Sequence, residues 1–212
     1  MEITWLGRAC FRIRAKEATV ITDPPDKSAG CSLGRPTADI VTVSHSDPAH
    51  SAVHAVAGNP RVLDGPGEYE IAGASIVGIT TWRGKEKTPE SGRNIAFVIE
   101  LEDMRIGHLG AIGHVPTADQ LEEMQNVDIL LVPVGGGESL EAPQAAETVS
   151  LIEPKLVIPM SYANDLDRAK LDPVDRFLKE MGAKKDETHA KLTVTRSSLP
   201  EETQVVVLDI KR

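Results

Sequence analysis

The chain has 212 residues, a formal net charge of −9, 41% apolar residues and only 3% aromatic ones. That length suits one domain spanning residues 1–212, with a sizeable core that must rest on Val, Ile, Leu and Ala. An acidic surface repels phosphate backbones and anionic lipid, which argues against nucleic acid and membrane partners. The densest basic patch, Lys184-Lys185, runs straight into Asp186-Glu187.

The opening Met1–Trp5 lacks a basic segment leading into a long apolar run, so it does not read as a signal peptide. No apolar stretch approaches the ~18 residues of a transmembrane helix. Two cysteines, Cys10 and Cys31, make no disulfide framework and match no zinc-finger spacing. Reduced thiols in a cytoplasmic protein are the expectation.

In chain order, Glu2–Leu6, Cys10–Ala15 and Thr19–Asp23 predict a meander of short strands, followed by a Gly-, Ser- and Pro-rich loop over Pro24–Pro36. Ile40–Ser44 is apolar enough to predict a strand buried on both faces. A short helix is expected over His50–Ala57. Strands follow at Arg61–Leu63, Tyr69–Ile71, Ser75–Thr80 and Asn94–Leu101, with a polar loop at Arg83–Gly92. The second half alternates. Thr117 and Gln120 form a capping box that opens a helix to about Met124. Helices over Ala142–Ile152 and from Asp172-Pro173 to Met181 separate strands at Val127–Val134, Lys155–Pro159, Lys191–Thr195 and Gln204–Ile210. Strands first and βαβ-like units after them predict an α/β chain of two mixed sheets with helices outside.

The densest chemistry lies in Val43-Ser-His45-Ser-Asp47-Pro-Ala-His50, where two imidazoles and a carboxylate fall within six residues just after a buried strand. His45, Asp47 and His50 are residue types that ligate zinc. The loop after a strand lets such side chains converge, although short His/Asp clusters also arise in ordinary polar turns. Three more strand ends open into loops: Ile106–His114, with His108 and His114 beside glycines; Pro133–Gly137; and Val157–Tyr162. The triple glycine Gly135–Gly137 is followed by Glu138 and not by Lys and Ser or Thr, which excludes a nucleotide-binding P-loop. No Gly-x-Ser-x-Gly pattern supports a serine hydrolase. His54 and His189 read as bystanders, and Cys10 as core packing.

Together these segments resemble the metallo-β-lactamase fold superfamily, and within it the lactonase-like branch related to ascorbate-6-phosphate lactonase. The resemblance rests on Thr4-Trp5-Leu6-Gly7, Ile21-Thr22-Asp23-Pro24, Gly67–Ile71, His108-Leu109-Gly110, Val132–Gly136 and Val157–Met160 in the same order. It implies a four-layer αββα sandwich with a metal site at one edge of the two sheets. It also implies losses. The family pattern His-x-His-x-Asp-His keeps His45 and His50, but Asp47 replaces the middle His and Ala49 the Asp. The family's next His should fall near Trp82 or Arg83, where this chain has none, the bridging carboxylate is replaced by Ala111 and the last His by Ser161, and Arg8 stands where the first hairpin usually has a His.

Counting ligands on that comparison, a second metal position is gone, because methyl groups at 49 and 111 coordinate nothing. An Arg83 pointing inward would also repel a cation. The favoured expectation is therefore a non-catalytic member with no cofactor, whose pocket, lined by Arg8, Asp23, Arg83, His108, Ala111 and Ser161, binds a small anion or a protein partner. The alternative is a hydrolase of a lactone, ester or phosphorylated small molecule that uses one zinc on His45, Asp47 and His50.

Overall fold

The computed structural model describes residues 1–30, 33–86, 92–166, 169–184 and 187–211. In chain order the strands and helices are β1 (Glu2–Gly7), β2 (Cys10–Arg14), β3 (Thr19–Thr22), β4 (Ile40–Thr42), α1 (Pro48–Ser51), β5 (Arg61–Leu63), β6 (Gly67–Ile71), β7 (Ala74–Trp82), β8 (Arg93–Leu101) and β9 (Met104–His108). They continue as α2 (Ala118–Glu123), β10 (Ile129–Pro133), α3 (Ala142–Ile152), β11 (Leu156–Met160), α4 (Val174–Glu180), β12 (Leu192–Thr193) and β13 (Gln204–Val205). One sheet has the order β12-β1-β2-β3-β4-β5, the other β13-β11-β10-β9-β8-β7-β6. Both are mixed: β3-β4-β5 and β9-β10-β11-β13 run parallel, and the remaining pairs antiparallel. This is the expected αββα sandwich.

Period-two alternation explains how a chain poor in aromatics fills two layers. Ile3 and Trp5 of β1, Phe11 and Ile13 of β2, Val20 of β3 and Ile40 of β4 join Ile95, Phe97 and Ile99 of β8 in one core. Their neighbours Leu6, Cys10, Ile21 and Val41 point the other way and pack with Val43 and Val56 in a second, smaller cluster. The six-stranded sheet is thus buried on both faces where β3 and β4 run. Cys10 is a buried free thiol there, and Cys31 lies outside the described residues.

Several boundaries differ from the sequence reading for identifiable reasons. The predicted strand over Ile40–Ser44 stops at Thr42, because the Ser44 amide turns to bond Asp23. The helix expected over His50–Ala57 begins earlier and is shorter, since Asp47 caps α1 and Pro48 takes its first position; Val53–Ala55 follows as a 3-10 turn. The sequence shows strand β9 only as a strand end opening into the loop at Ile106–His114, and the strand spans Met104–His108. Its hairpin to β8 turns on Glu102 and Asp103, both left-handed (φ 50 and 58), and not on the Asn-Gly that usually marks such turns. The predicted last strand pairs with β11 only over Gln204–Val205. Beyond it the arm crosses between the sheets, with the Lys211 amide donating to the Trp5 carbonyl at 2.9 Å, so it cannot continue one ladder. The loops at 24–36 and 83–92 and the charged run 184–187 fall partly outside the described residues. Among the described residues no helix is long and apolar enough to cross a membrane.

Candidate metal centre at the carboxyl ends of the strands

Parallel strands deliver their carboxyl ends to the same edge, where open α/β sheets bind ligands. Here β3 ends at Thr22 and delivers Asp23, while β4 ends at Thr42 and delivers Ser44 and His45. From the opposite sheet, β9, β10 and β11 deliver the loops that hold Ala111, Gly136 and Ser161. A cavity of about 250 Å³ lies between these lips. Its lining includes Arg8, His45, Asp47, His50, Arg83, Ala111, Ser161 and Lys170. Three non-glycine residues at this edge, Arg8, Asp23 and Ser161, hold left-handed backbone (φ 50, 40 and 51). Strain of this kind is retained where the surrounding structure fixes it.

Asp23 organises the centre. Its side chain is 0% exposed. Its Oδ1 accepts the Ser44 amide at 2.7 Å, and its Oδ2 accepts the Ser44 hydroxyl and His50 Nδ1–H, the latter at 2.9 Å. With its hydrogen committed to Asp23, the Ser44 hydroxyl can only accept from His45 Nδ1, 2.9 Å away. The chain of hydrogen bonds therefore assigns the Nδ1–H tautomer to both rings and leaves each Nε2 lone pair uncommitted, as second-shell partners do for metal-bound histidines. The two rings lie 4.3 Å apart between centroids. Ligand atoms of Asp23, His45 and His50 all fall within 4.8 Å of one another.

The electrostatics agree. Burial pushes the His45 ring down to about 4, helped by the neighbouring His50 and Arg83 against the pull of Asp23. His45 is thus neutral and able to donate its lone pair near pH 7. Burial alone would raise the Asp23 carboxyl, but the hydrogen bond from His50 and the facing imidazoles hold it below its usual value. The fully buried Asp23 carboxylate behind the rings holds both imidazoles so that their two Nε2 lone pairs can serve a single divalent cation. Ala111 and Ser161, on the opposite lip, offer a methyl and a hydroxyl, so a second cation does not fit.

Not every residue sits where the sequence suggested. Asp47 lies outside the cluster that Asp23, His45 and His50 form. The short Asp47 side chain is used locally, its Oδ1 accepting the Ala49 amide at 2.8 Å as the cap of α1, although it still borders the cavity. Asp47→Ala is accordingly expected to lower stability by about 1 kcal/mol while leaving zinc retention unchanged, read by urea denaturation and metal content. His108 does not line the cavity. It is fully buried between the sheets, with Nε2 2.8 Å from the Ala9 carbonyl and its ring edge-on to Phe11. His114 is buried too and accepts the Trp82 amide at 3.3 Å. Arg83 borders the cavity, but its Nη1 pairs with Glu138 Oε2 at 2.9 Å, which offsets the repulsion it would exert on a cation.

One residue escaped the sequence reading altogether. Asn94 is fully buried and donates to Thr81 Oγ1 at 2.7 Å and to the Leu109 carbonyl at 3.0 Å, while accepting the Ala111 amide at 2.8 Å. It pins the β9 loop against the Asp23 side of the cavity. Gly110 in that loop (φ 58) leaves room for this, since a Cβ would come within 2.5 Å of Ser44 Cβ and 2.6 Å of Asn94 Oδ1. The only signal was a carboxamide at the head of an otherwise apolar strand.

Fold and site together define an αββα sandwich with a His/Asp cluster able to hold a cation at the strand ends. The β-lactamase superfamily domain model matches residues 2–161, and the chain belongs to that superfamily. A Thermotoga maritima protein, described as a Zn-dependent hydrolase of the metallo-β-lactamase superfamily, is 39% identical with a TM-score of 0.80, over 98% of this chain and 97% of that one. A UPF0173 metal-dependent hydrolase of Methanopyrus kandleri is 25% identical over 193 residues, covering 76% of this chain and 84% of the relative. Igni18, a metallo hydrolase from Ignicoccus hospitalis, shares the fold at 17% identity and a TM-score of 0.61, over 86% of this chain and 92% of its own.

Proposed function

We propose that the chain is a metal-dependent hydrolase working with one divalent cation, zinc by the chemistry of its donors, on a small anionic lactone, ester or phosphorylated compound. The observation that carries this is the pair His45 and His50, clustered with the buried Asp23 behind them, in a cavity bordered by Arg8, Arg83 and Lys170. Relatives described as metal-dependent hydrolases support catalysis over the non-catalytic reading. On this reading, the replaced ligands at Ala49, Ala111 and Ser161 restrict the chemistry to one cation and do not remove it.

His45 and His50 would hold the cation through Nε2, with Asp23 behind them as outer partner, and the cation would supply Lewis acidity toward a carbonyl or phosphoryl oxygen and toward water. Asp23 and Ser44 fix both imidazoles in the donating tautomer. Arg8 and Lys170 draw an anionic substrate into an otherwise acidic protein and orient it. Asp47 Oδ2, uncommitted beside the cavity, is placed to accept a proton from the attacking water.

The test is metal content of protein purified without chelator, followed by a screen of lactones, carboxylic esters and phosphate esters. About one zinc per chain is expected, with turnover that disappears in His50→Ala. Arg8→Gln and Lys170→Gln should each raise KM for the anionic substrate about tenfold with kcat little changed. No zinc after incubation with the metal, together with no hydrolysis, would overturn the proposal.

A further inference from the structure

A second cavity, of about 570 Å³, lies behind the turn that carries Arg8. The two cavities share a wall, in which Trp5 Nε1–H and the Ser161 amide both donate to the Arg8 carbonyl, at 2.8 and 3.2 Å. Their chemistry is opposite in sign. Trp5 and Tyr162 form an aromatic floor, with rings 4.9 Å apart and tilted by 38°. Asp165 and Asp209 stand on the exposed rim, and Asp209 Oδ2 accepts the Thr188 hydroxyl at 2.8 Å. Among the described residues neither carboxylate has a cationic partner. Tyr162 is only 6% exposed, borders this cavity, and its hydroxyl makes no hydrogen bond among the described residues. That hydroxyl is open to the cavity, where a ligand or solvent can bond it. Burial, reinforced by Asp209 and Asp175, also pushes Tyr162 further up from its usual range, so it stays a neutral donor and acceptor.

We propose that this cavity is a second ligand site, for a small organic ammonium or guanidinium ion with an apolar body. The cation rests against the Trp5–Tyr162 floor, where an aromatic face attracts positive charge. Its N–H groups donate to Asp165, Asp209 and the Tyr162 oxygen. Leu208 and Ile210 provide apolar wall for the alkyl part. Anions are kept out by the rim. The site uses no residue of the candidate metal cluster, so it stands or falls independently of the proposed hydrolysis.

The chain has two tryptophans, Trp5 and Trp82. A Trp82→Phe background therefore leaves Trp5 as the single indole reporter. That protein is titrated with butylammonium and with arginine amide, and with 1-butanol and butyrate as neutral and anionic controls at constant ionic strength. Saturable changes in Trp5 fluorescence are expected for the two cations, in the millimolar range or tighter, and none for the controls. Saturation-transfer NMR on butylammonium provides a second readout. Asp209→Asn should weaken binding about fivefold or more, and Tyr162→Phe should weaken it as well. Absence of saturation by both methods, an equal response to butanol, or unchanged affinity in the Asp165→Asn/Asp209→Asn double variant would overturn the proposal.

Discussion

Asp23→Asn is expected to strip the chain of zinc. The carboxylate accepts three hydrogen bonds, two of them on Oδ2 from the Ser44 hydroxyl and His50 Nδ1–H. An asparagine can keep the Ser44 amide bond through its carbonyl oxygen. Its amide nitrogen, however, then faces two donors. The arrangement relaxes most cheaply if His50 moves its proton to Nε2, the nitrogen needed for the cation, and if Ser44 turns away from Asp23 and so releases His45. The variant therefore loses the negative charge and the correct tautomer together. Loss of a single outer partner of a metal-bound histidine costs about 10–100-fold in affinity, and the two losses combined should exceed about 100-fold. Competition titration with a zinc chelator checks this, and retention within a few-fold of the wild-type chain would contradict it. Far-UV circular dichroism should be unchanged, since the core strands do not depend on this side chain.

The second large effect is on acid stability. In metal-free protein, burial depresses His45 from 6.5 to about 4, and His108 shifts in the same direction because it is fully buried. A group with a depressed folded pKa contributes stability that is present above its unfolded pKa and is lost as pH falls toward the folded one. The unfolded chain takes up protons from pH 6.5 downward, whereas folded His45 does so only near pH 4. At ~1.4 kcal/mol per unit, His45 alone accounts for a loss on the order of 3 kcal/mol across that window. Asp23, whose carboxyl is also held low, adds its own loss below its unfolded value of 3.8. Urea midpoints measured from pH 7 to pH 4 should fall steadily, and His45→Gln should flatten part of the slope. A flat or rising profile in wild-type protein would refute the assignment.

The sandwich was legible in the sequence because its signals are local. Ile3, Trp5, Phe11, Ile13, Val20 and Ile40 alternate with residues of the other face, and alternation needs no knowledge of partners. The capping box at Thr117 and Gln120 is likewise formed within four residues. The centre was only half legible for the complementary reason. His45 and His50 stand out by spacing, but their carboxylate comes from Asp23, 27 positions before His50, through the parallel pairing of β3 with β4. Proximity in sequence pointed to Asp47, whose short side chain is instead drawn to the amide two residues on. Asn94 was invisible because its role is set by Thr81, Leu109 and Ala111, each at least 13 residues away.

Among the described residues, the two imidazoles proposed to hold the cation and the carboxylate behind them all come from residues 23–50, at the lip of the six-stranded sheet, and none comes from the seven-stranded one. A cation held there ties β3, β4 and α1 to one another and leaves the two sheets without a metal cross-brace. On the proposed function, the opposite lip, with Ala111, the glycine turn, Ser161 and Lys170, would bear on the substrate without bearing on the metal. Evolution could then reshape substrate range on one sheet while the proposed cation chemistry on the other is inherited unchanged.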